Sequence, residues 1–307
     1  MAHVISRRDF IHLCAAAGLT GVLAPRAFAM QKTQFGAREV VVLSDGNLSL
    51  PASFMFPEIA KEELEPLLAA NGLPTDMFLP DCNLTLVRDG ERTIIFDAGS
   101  GANFQPTAGK LADSLAEAGV DPADITDVVF THAHPDHLWG VVDDFDEFTF
   151  ANANHHMSRM EWDYWRAPDT MEKTPEERKS FVAGAQKRFE LLADRITLFD
   201  FGAEVLPGIE AVDTSGHTPG HASFVLHEGS QNLVIIGDAI SQSVVSFQRP
   251  DWHSGSDQDP AKAARTRQSL LDRLVADGST IIGFHLPHPG IGAVERDGSA
   301  YRFLAQT

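Results

Sequence analysis

The chain has 307 residues, of which 43% are apolar and 22% are charged, a composition typical of a soluble globular protein with a large core. Its formal net charge is −19. Binding to a polyanionic backbone or to an anionic membrane surface requires clustered lysines and arginines, and the sequence contains no such cluster. The charge therefore argues against nucleic acid as a partner.

The first thirty positions contain the three parts of an export signal. Ser6-Arg7-Arg8-Asp9 is a twin-arginine start, residues 13–24 form an apolar stretch, and Ala27-Phe28-Ala29 is a small-x-small cleavage site. The apolar stretch is shorter than the ~20 residues that span a bilayer, which disfavours a membrane anchor; a cytosolic amphipathic helix is the other alternative. We therefore predict that residues 1–29 are a signal peptide recognised by the twin-arginine export machinery. The mature protein would be periplasmic or secreted, without membrane contact after cleavage.

The predicted mature chain, residues 30–307, is expected to form a single domain. Removal of the signal takes away three arginines and one aspartate and leaves a net charge of about −21. Cys14 lies in the signal, so Cys82 has no partner for an intramolecular disulfide. Because no cationic neighbour in sequence would lower its thiol pKa, Cys82 is expected to be a small core residue rather than a reactive thiol.

Strand and helix patterns alternate in blocks along the chain. Apolar runs bounded by turn residues predict strands at 39–43, 48–50, 83–87, 93–96, 127–131, 196–199, 209–212, 223–227, 233–236 and 280–284. Helical spacing predicts helices at 57–70, 110–118, 154–166, 175–193 and 260–276. Twice a cluster of strands gives way to helices. This order predicts an α/β fold in which two sheets pack face to face with helices outside, a four-layer αβ/βα sandwich.

The most distinctive motif follows the predicted strand at 127–131. His132-Ala133-His134-Pro135-Asp136-His137 concentrates three imidazoles and a carboxylate in six residues. Imidazole nitrogen and carboxylate oxygen are preferred ligands of Zn and similar divalent ions, and a tight loop after a strand can aim alternate side chains at one point. The motif therefore predicts a metal site at a strand end.

This loop supplies only part of a stable ligand set, which needs three or four protein ligands per ion. Three later residues, His217, Asp238 and His285, each come just past a buried-strand pattern. We therefore expect all of these groups to gather at one rim of the sheets.

The HxHxDH loop with a downstream His, Asp and His in this order resembles the metallo-β-lactamase-fold hydrolases. Within that superfamily the chain is most similar to the branch of methyl parathion hydrolase and related lactonases. The local resemblances are Ser44-Asp45-Gly46, Phe96-Asp97-Ala98-Gly99, Gly216-His217-Thr218-Pro219-Gly220-His221 and the run His285-Leu286-Pro287-His288-Pro289-Gly290-Ile291-Gly292. The resemblance implies the same αβ/βα sandwich and two divalent metal ions, with Zn preferred and Mn, Fe or Co as alternatives.

The resemblance also implies how the ligands are shared. His132, His134 and His217 would hold the first ion; Asp136, His137 and His285 would hold the second, with Asp238 bridging both. Two ions ~3.5 to 4 Å apart hold a hydroxide between them and bring the pKa of that water toward neutrality, which supplies a nucleophile. Asp136 is the catalytic candidate, since it can bind metal and pass a proton to the leaving group.

Other polar residues have two interpretations each. Asp97 either orients a ligand histidine or caps a turn, and His221 either supports a ligand or stabilises its loop. The remaining histidines are expected at the surface or in structural roles: His155, His156, His227, His253 and His288. Several aromatic residues are expected near the mouth of the site or in the core: Phe54, Phe56, Phe104, Trp162, Trp165, Phe247 and Trp252.

The sequence thus predicts a hydrolase of a small-molecule substrate with an ester-like bond: a lactone, a carboxylic ester or an organophosphate triester. Three alternatives stay open. They are an iron-dependent oxidoreductase similar to persulfide dioxygenases, a thioester or β-lactam hydrolase, and a non-catalytic binding protein on the same fold. Whether the chain forms a homodimer is also left open.

Overall fold

The computed structural model describes residues 31–306. The predicted signal peptide, residues 1–29, lies outside the described residues. Within residues 31–306, no helix is both long enough and apolar enough to cross a lipid bilayer.

The strands and helices alternate in two blocks, as the sequence pattern predicts. In chain order the strands are β1 (Gln31–Phe35), β2 (Arg38–Asn47), β3 (Leu50–Pro51), β4 (Met77–Phe78), β5 (Asp81–Asp89), β6 (Arg92–Phe96), β7 (Asp127–Val129), β8 (Asn154–Ser158), β9 (Ile196–Phe199), β10 (Glu204–Leu206), β11 (Ile209–Asp213), β12 (Ala222–Glu228), β13 (Gln231–Ile235), β14 (Thr280–Ile282), β15 (Ile291–Asp297) and β16 (Ala300–Ala305). The α-helices span Ala52–Met55, Lys61–Ala70, Leu111–Ala118, Pro135–Leu138, Arg159–Arg166, Thr170–Lys173, Lys179–Leu192, Val245–Gln248 and Pro260–Asp277.

Each block forms one seven-stranded sheet. The first has the order β1-β2-β5-β6-β7-β8-β9, and the second has the order β10-β11-β12-β13-β14-β15-β16. In the first sheet, pairing is antiparallel up to β6 and parallel from β6 to β9. In the second sheet, the pair of β13 and β14 is parallel and the others are antiparallel. The carboxyl end of β7 therefore lies beside those of its parallel neighbours β6 and β8, and the carboxyl end of β14 lies beside that of β13.

Alternation of side chains along the strands builds the layers. In β2, Val40 and Val42 point between the sheets, whereas Val41 and Leu43 point at the outer helices of the first sheet. Helix Pro260–Asp277 covers the outer face of the second sheet. The order helix, sheet, sheet, helix confirms the predicted four-layer αβ/βα sandwich.

One predicted element was wrong. Residues 154–158 were expected to begin a helix, but Asn154–Ser158 is strand β8, with parallel neighbours β7 and β9 on its two sides. The helix begins only at Arg159, where Ser158 accepts a hydrogen bond from the Glu161 backbone N–H. Pairing with two neighbouring strands therefore overrides the local pattern of this segment.

Several boundaries also differ from the sequence pattern. The predicted helix at 57–70 begins only at Lys61, and the predicted strand at 48–50 is reduced to Leu50–Pro51. In the two seven-stranded sheets the sequence pattern missed four edge or near-edge strands, which are β1, β10, β15 and β16, and it also missed the short strand β4. Their burial is partial or one-sided, so their apolar signal is weak.

Candidate metal centre

All seven predicted ligand residues come together at one rim of the sandwich, and all seven are buried. The first loop leaves β7, and Pro135 starts the short helix Pro135–Leu138, which places Asp136 and His137 in its first turn. The other three ligand candidates, His217, Asp238 and His285, follow β11, β13 and β14, and Asp238 lies in the 3-10 helix Gly237–Ala239. Each group therefore lies just past the carboxyl end of a core strand.

The first group consists of His132, His134 and His217. His132 Nε2 lies 3.0 Å from His134 Nδ1, and His134 Nδ1 lies 2.9 Å from His217 Nε2. Ligand atoms at about 2.0–2.2 Å from a tetrahedral zinc lie about 3.3 Å from one another, so three nitrogens at these separations face a common point as metal ligands do.

The second group gathers around two carboxylates. His285 Nε2 is 3.2 Å from Asp136 Oδ2, and His137 Nε2 is 3.5 Å from the same oxygen. The Asp238 carboxylate lies between the two groups. Its Oδ2 is 3.3 Å from His217 Nε2 and 3.2 Å from His285 Nε2, and its Oδ1 is 3.3 Å from His137 Nε2.

Three of the ligand histidines, His132, His217 and His285, are oriented through Nδ1, the ring nitrogen that faces away from the other ligands. His132 Nδ1 is 3.0 Å from the Thr131 hydroxyl. His217 Nδ1 donates to Asp257 Oδ1 at 2.9 Å, and His285 Nδ1 donates to the Asp81 carbonyl at 2.9 Å. Partners of this kind set the tautomer and leave Nε2 free to bind an ion.

Asp97 acts in the same way on His137. Its carboxylate accepts hydrogen bonds from His137 Nδ1 at 2.8 Å and from the Thr131 backbone N–H at 2.7 Å. Asp97 thus holds a ligand candidate and the start of its loop together, which matches the orienting interpretation of this residue. His221 also contacts the site, since its Nε2 accepts a hydrogen bond from the Asp238 backbone N–H at 2.9 Å.

The two groups differ in charge. Burial lowers the pKa of His132 and His134 well below the ordinary histidine value, so both are neutral imidazoles. Burial also opposes a charge on His137 and His285, but Asp136 and Asp238 outweigh it and hold the pKa of both well above that value. The same histidines hold the pKa of Asp238 well below its usual range despite burial. The carboxylates of the second group therefore favour a positive charge beside them, which a bound cation would supply.

Three buried atoms test whether a metal fits. In the part of the chain that the structure describes, Asp136 Oδ2, His137 Nε2 and Asp238 Oδ1 have no hydrogen-bond partner. A buried polar atom without a partner costs roughly 1–3 kcal/mol. These three face one another at the centre of the site, and a bound divalent cation would satisfy them together. The donor set therefore fits a metal ion.

Glu161, which the sequence analysis missed, joins two of the ligand loops. Its Oε1 accepts from the Ala133 backbone N–H at 2.9 Å and from Trp165 Nε1 at 2.6 Å. Its Oε2 accepts from the Thr218 hydroxyl at 2.7 Å and from the Gly220 backbone N–H at 2.9 Å. A Cβ at Gly220 would lie 2.0 Å from the Glu161 nitrogen, so this close approach requires glycine. No local pattern connects Glu161 to the ligand loops, because its partners in those loops lie 28 to 59 positions away.

Asp257 and Cys82 complete the surroundings of the ligands. Asp257 orients His217 and forms a buried ion pair with Arg267 at 3.1 Å. Cys82 is a buried core residue, as expected, and burial raises the pKa of its thiol to about 12. Its sulfur also lies within 4.8 Å of a ligand atom of Asp136 and of His285.

A cavity of about 160 Å³ opens beside the first group. Four of its lining residues contact the ligand candidates. The rings of Trp165 and Phe181 lie 5.9 and 6.0 Å from that of His134. Asp257 accepts a hydrogen bond from His217, and Gln258 Nε2 lies 3.4 Å from His134 Nε2. Of the aromatic residues expected near the site, Trp165 lines this cavity, whereas Trp162 and Phe247 are packed in the core. A small molecule in this cavity would lie against the candidate metal ligands.

Comparisons with known proteins identify the family. A model described as the metallo-beta-lactamase superfamily matches residues 78–285, which is more than half of the chain. The protein belongs to the metallo-β-lactamase superfamily.

Relatives with named activities include lactonases. The N-acyl homoserine lactonase AttM of Azorhizobium caulinodans is 28% identical over 171 residues, which are 55% of this chain and 61% of that protein. The chain therefore spans about three fifths of the length of this curated relative.

Two solved structures match most of the chain. AidC, a dizinc quorum-quenching lactonase in complex with a product, N-hexanoyl-L-homoserine, has a TM-score of 0.86 at 27% identity and covers 91% of this chain and 98% of its own. The hydrolase AbOPH of the beta lactamase superfamily has a TM-score of 0.83 at 28% identity and covers 91% of this chain and 97% of its own.

Proposed function

We propose that this protein is a metal-dependent hydrolase that opens a lactone or cleaves a closely related small ester. The observation that carries the proposal is the position of Asp238, whose two oxygens face both histidine groups with no hydrogen-bond partner on Oδ1 among the described residues. Such a carboxylate between two nitrogen-rich groups is the arrangement expected of a ligand shared by two cations.

We assign the ligands residue by residue. The first ion would be held by His132, His134 and His217, and the second by Asp136, His137 and His285, with Asp238 contacting both. The mixture of nitrogen and oxygen donors favours Zn, with Mn, Fe or Co as alternatives. Two such ions would supply Lewis acidity and bring the pKa of a water molecule close to neutrality.

Asp136 is the proposed proton carrier. Despite burial, His137 holds the pKa of the Asp136 carboxyl well below its usual range, so Asp136 is ionised at neutral pH. In ester hydrolysis, a water oxygen bonds to the carbonyl carbon, the ester C–O bond breaks, and the departing alkoxide takes a proton. The Asp136 carboxylate would accept the proton from the attacking water through the oxygen that does not face the ion, and return it to that alkoxide oxygen.

A lactone is the preferred substrate class. AttM and AidC are both lactonases by name, and AidC binds an acyl homoserine product. The aromatic wall formed by Tyr164, Trp165 and Phe181 would receive an apolar acyl chain. Carboxylic esters and organophosphate triesters are the other members of the class predicted from the sequence.

The test combines metal analysis with a substrate panel. Two divalent ions per chain and turnover of lactones above aryl esters and organophosphate triesters would support the proposal. One iron per chain with oxygen consumption would overturn it in favour of the dioxygenase alternative. Two ions per chain without turnover of any lactone, ester, thioester or triester would support a binding protein instead.

We also propose that residues 1–29 direct export of the folded, metal-loaded protein. Replacing Arg7 and Arg8 together by lysine would then leave the protein in the cytoplasm, as measured by cell fractionation. Unchanged periplasmic protein in that double variant would contradict the proposed route. A variant with Arg26 replaced by lysine is the matched control, because Arg26 lies outside the twin-arginine pair.

A further inference from the structure

The cavity beside the first ligand group has in its wall a guanidinium, that of Arg178, which forms no ion pair within the part of the chain that the structure describes. Arg178 lines the cavity together with Trp165 and Phe181, the two residues whose rings contact His134. The guanidinium is therefore close to the candidate reaction centre.

The contacts of Arg178 leave its charge without an anion. One Nη atom donates to the Gly255 carbonyl, and the guanidinium lies 5.7 Å from the centre of the Phe54 ring. No carboxylate lies within ion-pair distance of it among residues 31–306. Asp257, the carboxylate that lines the same cavity, already pairs with Arg267 and His217.

Burial makes this arrangement costly for the empty protein. Arg178 is half-buried, and burial lowers its pKa despite the more distant charges of Glu177 and Asp257. The charged form therefore loses more solvation than these carboxylates replace. A bound anion would replace the stabilisation of the charged guanidinium that is lost with its solvation. Guanidinium presents a planar fork of donors that matches the two oxygens of a carboxylate.

The overall charge strengthens the argument. The chain has 43 acidic and 24 basic residues, so most of its surface repels anions. A cation that is left unpaired in such a protein, in a cavity beside the candidate metal ligands, gives that cavity a local preference for negative charge.

We propose that Arg178 binds a carboxylate on the substrate, so that the protein prefers lactones or esters whose acyl part carries a negative charge. This inference rests on the proposed hydrolase function and narrows its substrate class.

The test uses two esters that differ in one group. Monophenyl glutarate and phenyl pentanoate have the same leaving group and five acyl carbons, but the first ends in a carboxylate and the second in a methyl. For the metal-loaded full chain we expect kcat/KM to favour the glutarate ester roughly tenfold or more, because a charge-assisted hydrogen bond is at stake. Added salt should reduce this preference.

Variants separate recognition from structure. In Arg178→Gln the ratio of the two kcat/KM values should fall toward one, mainly through a higher KM for the glutarate ester. Arg178→Lys should keep part of the ratio, since it retains a point charge but not the fork. Arg188→Gln is the matched control: Arg188 also stacks on an aromatic ring, that of Trp139, and donates to backbone carbonyls, but it does not line the cavity. Its ratio should equal that of the wild type.

The inference is overturned if the wild type shows no preference, or if Arg178→Gln reduces turnover of both esters equally. If neither ester is hydrolysed, the proposed hydrolase function is contradicted for these substrates. The carboxylate site is then tested separately by measuring glutarate binding. Calorimetric titration of glutarate into the metal-loaded protein should give weaker binding for Arg178→Gln than for wild type. Equal binding would refute the carboxylate site. Arg178→Lys provides the same readout if the glutamine variant does not fold.

Discussion

His137 and His155 are both fully buried, at 0% exposure, yet they occupy opposite chemical situations. His137 donates from Nδ1 to Asp97 and turns Nε2 toward Asp136 and Asp238. His155 lies on strand β8 and packs against the ring of Phe130. Within the described chain neither of its ring nitrogens has a hydrogen-bond partner.

The pKa values of His137 and His155 differ in the same sense as their contacts. Burial opposes the charged form of both rings, but the carboxylates around His137 outweigh it and hold its pKa well above the ordinary value. Burial, with the nearby Arg195, lowers the pKa of His155 to about 4. Burial of a histidine therefore does not mark a ligand; an oriented second nitrogen and converging acceptors do.

The largest expected effect comes from removing the carboxylate on which His137, His217 and His285 converge. Asp238→Ala should lower kcat/KM for the best lactone by at least about a thousandfold, because both ions would lose a shared ligand. Bound metal per chain, measured beside steady-state rates, should fall as well. Full activity with two ions retained would show that Asp238 is not a ligand. Asp277→Ala, at the exposed end of helix Pro260–Asp277, serves as control.

Removing the orienting partner should make His137 more like His155. In Asp97→Asn, the amide keeps one acceptor oxygen but cannot accept from both His137 and Thr131 as the carboxylate does. Asparagine tolerates the left-handed backbone at this position, where φ is 67°, so the loop itself should survive. We expect metal affinity to fall by about 10–100-fold, as measured by competition with a chelator. Unaltered affinity would mean that His137 does not need its partner.

A smaller effect should follow from weakening the contact between the ligand loops. Glu161→Gln has nearly the same shape, but its amide group faces donors that the carboxylate accepted. We expect about tenfold weaker metal binding and a loss of roughly 1–3 kcal/mol of folding free energy. Chelator competition and urea unfolding of the metal-free protein separate the two effects. The exposed Glu190, changed to glutamine, is the control.

The smallest effect, with the opposite sign, is expected at His155. A leucine there has a similar volume and no unpaired polar atoms, so His155→Leu should stabilise the protein by about 1 kcal/mol at pH 7. Bound metal should not change. Urea unfolding of both proteins measures the difference, and a clear destabilisation would contradict the absence of useful polar contacts at this ring.

The pH dependence of this difference has a defined direction. Because the folded-state pKa of His155 is about 4, against 6.5 for an unperturbed histidine, the unfolded chain takes up a proton in this window that the folded chain does not. Wild-type stability therefore falls as pH is lowered from about 6.5 to about 4. The leucine variant should lose less stability over the same range.

The sequence by itself identified the seven side chains of the candidate centre and their common rim. This was possible because a ligand loop is a short-range signal: His132, His134, Asp136 and His137 are neighbours in the chain, and each later group follows an apolar run that must be a core strand. The alternation of apolar residues likewise predicted two sheets covered by helices.

Only the tertiary structure decided which groups surround those ligands. Glu161, Asp257 and Arg178 come from segments that no local pattern connects to the loops, and strand β8 owes its conformation to β7 and β9 on either side. Contacts between residues dozens of positions apart depend on how the layers pack. Among the residues that the structure describes, that packing, rather than local preference, determines which ring nitrogens are oriented, which guanidinium makes no ion pair and which buried histidine makes no hydrogen bond.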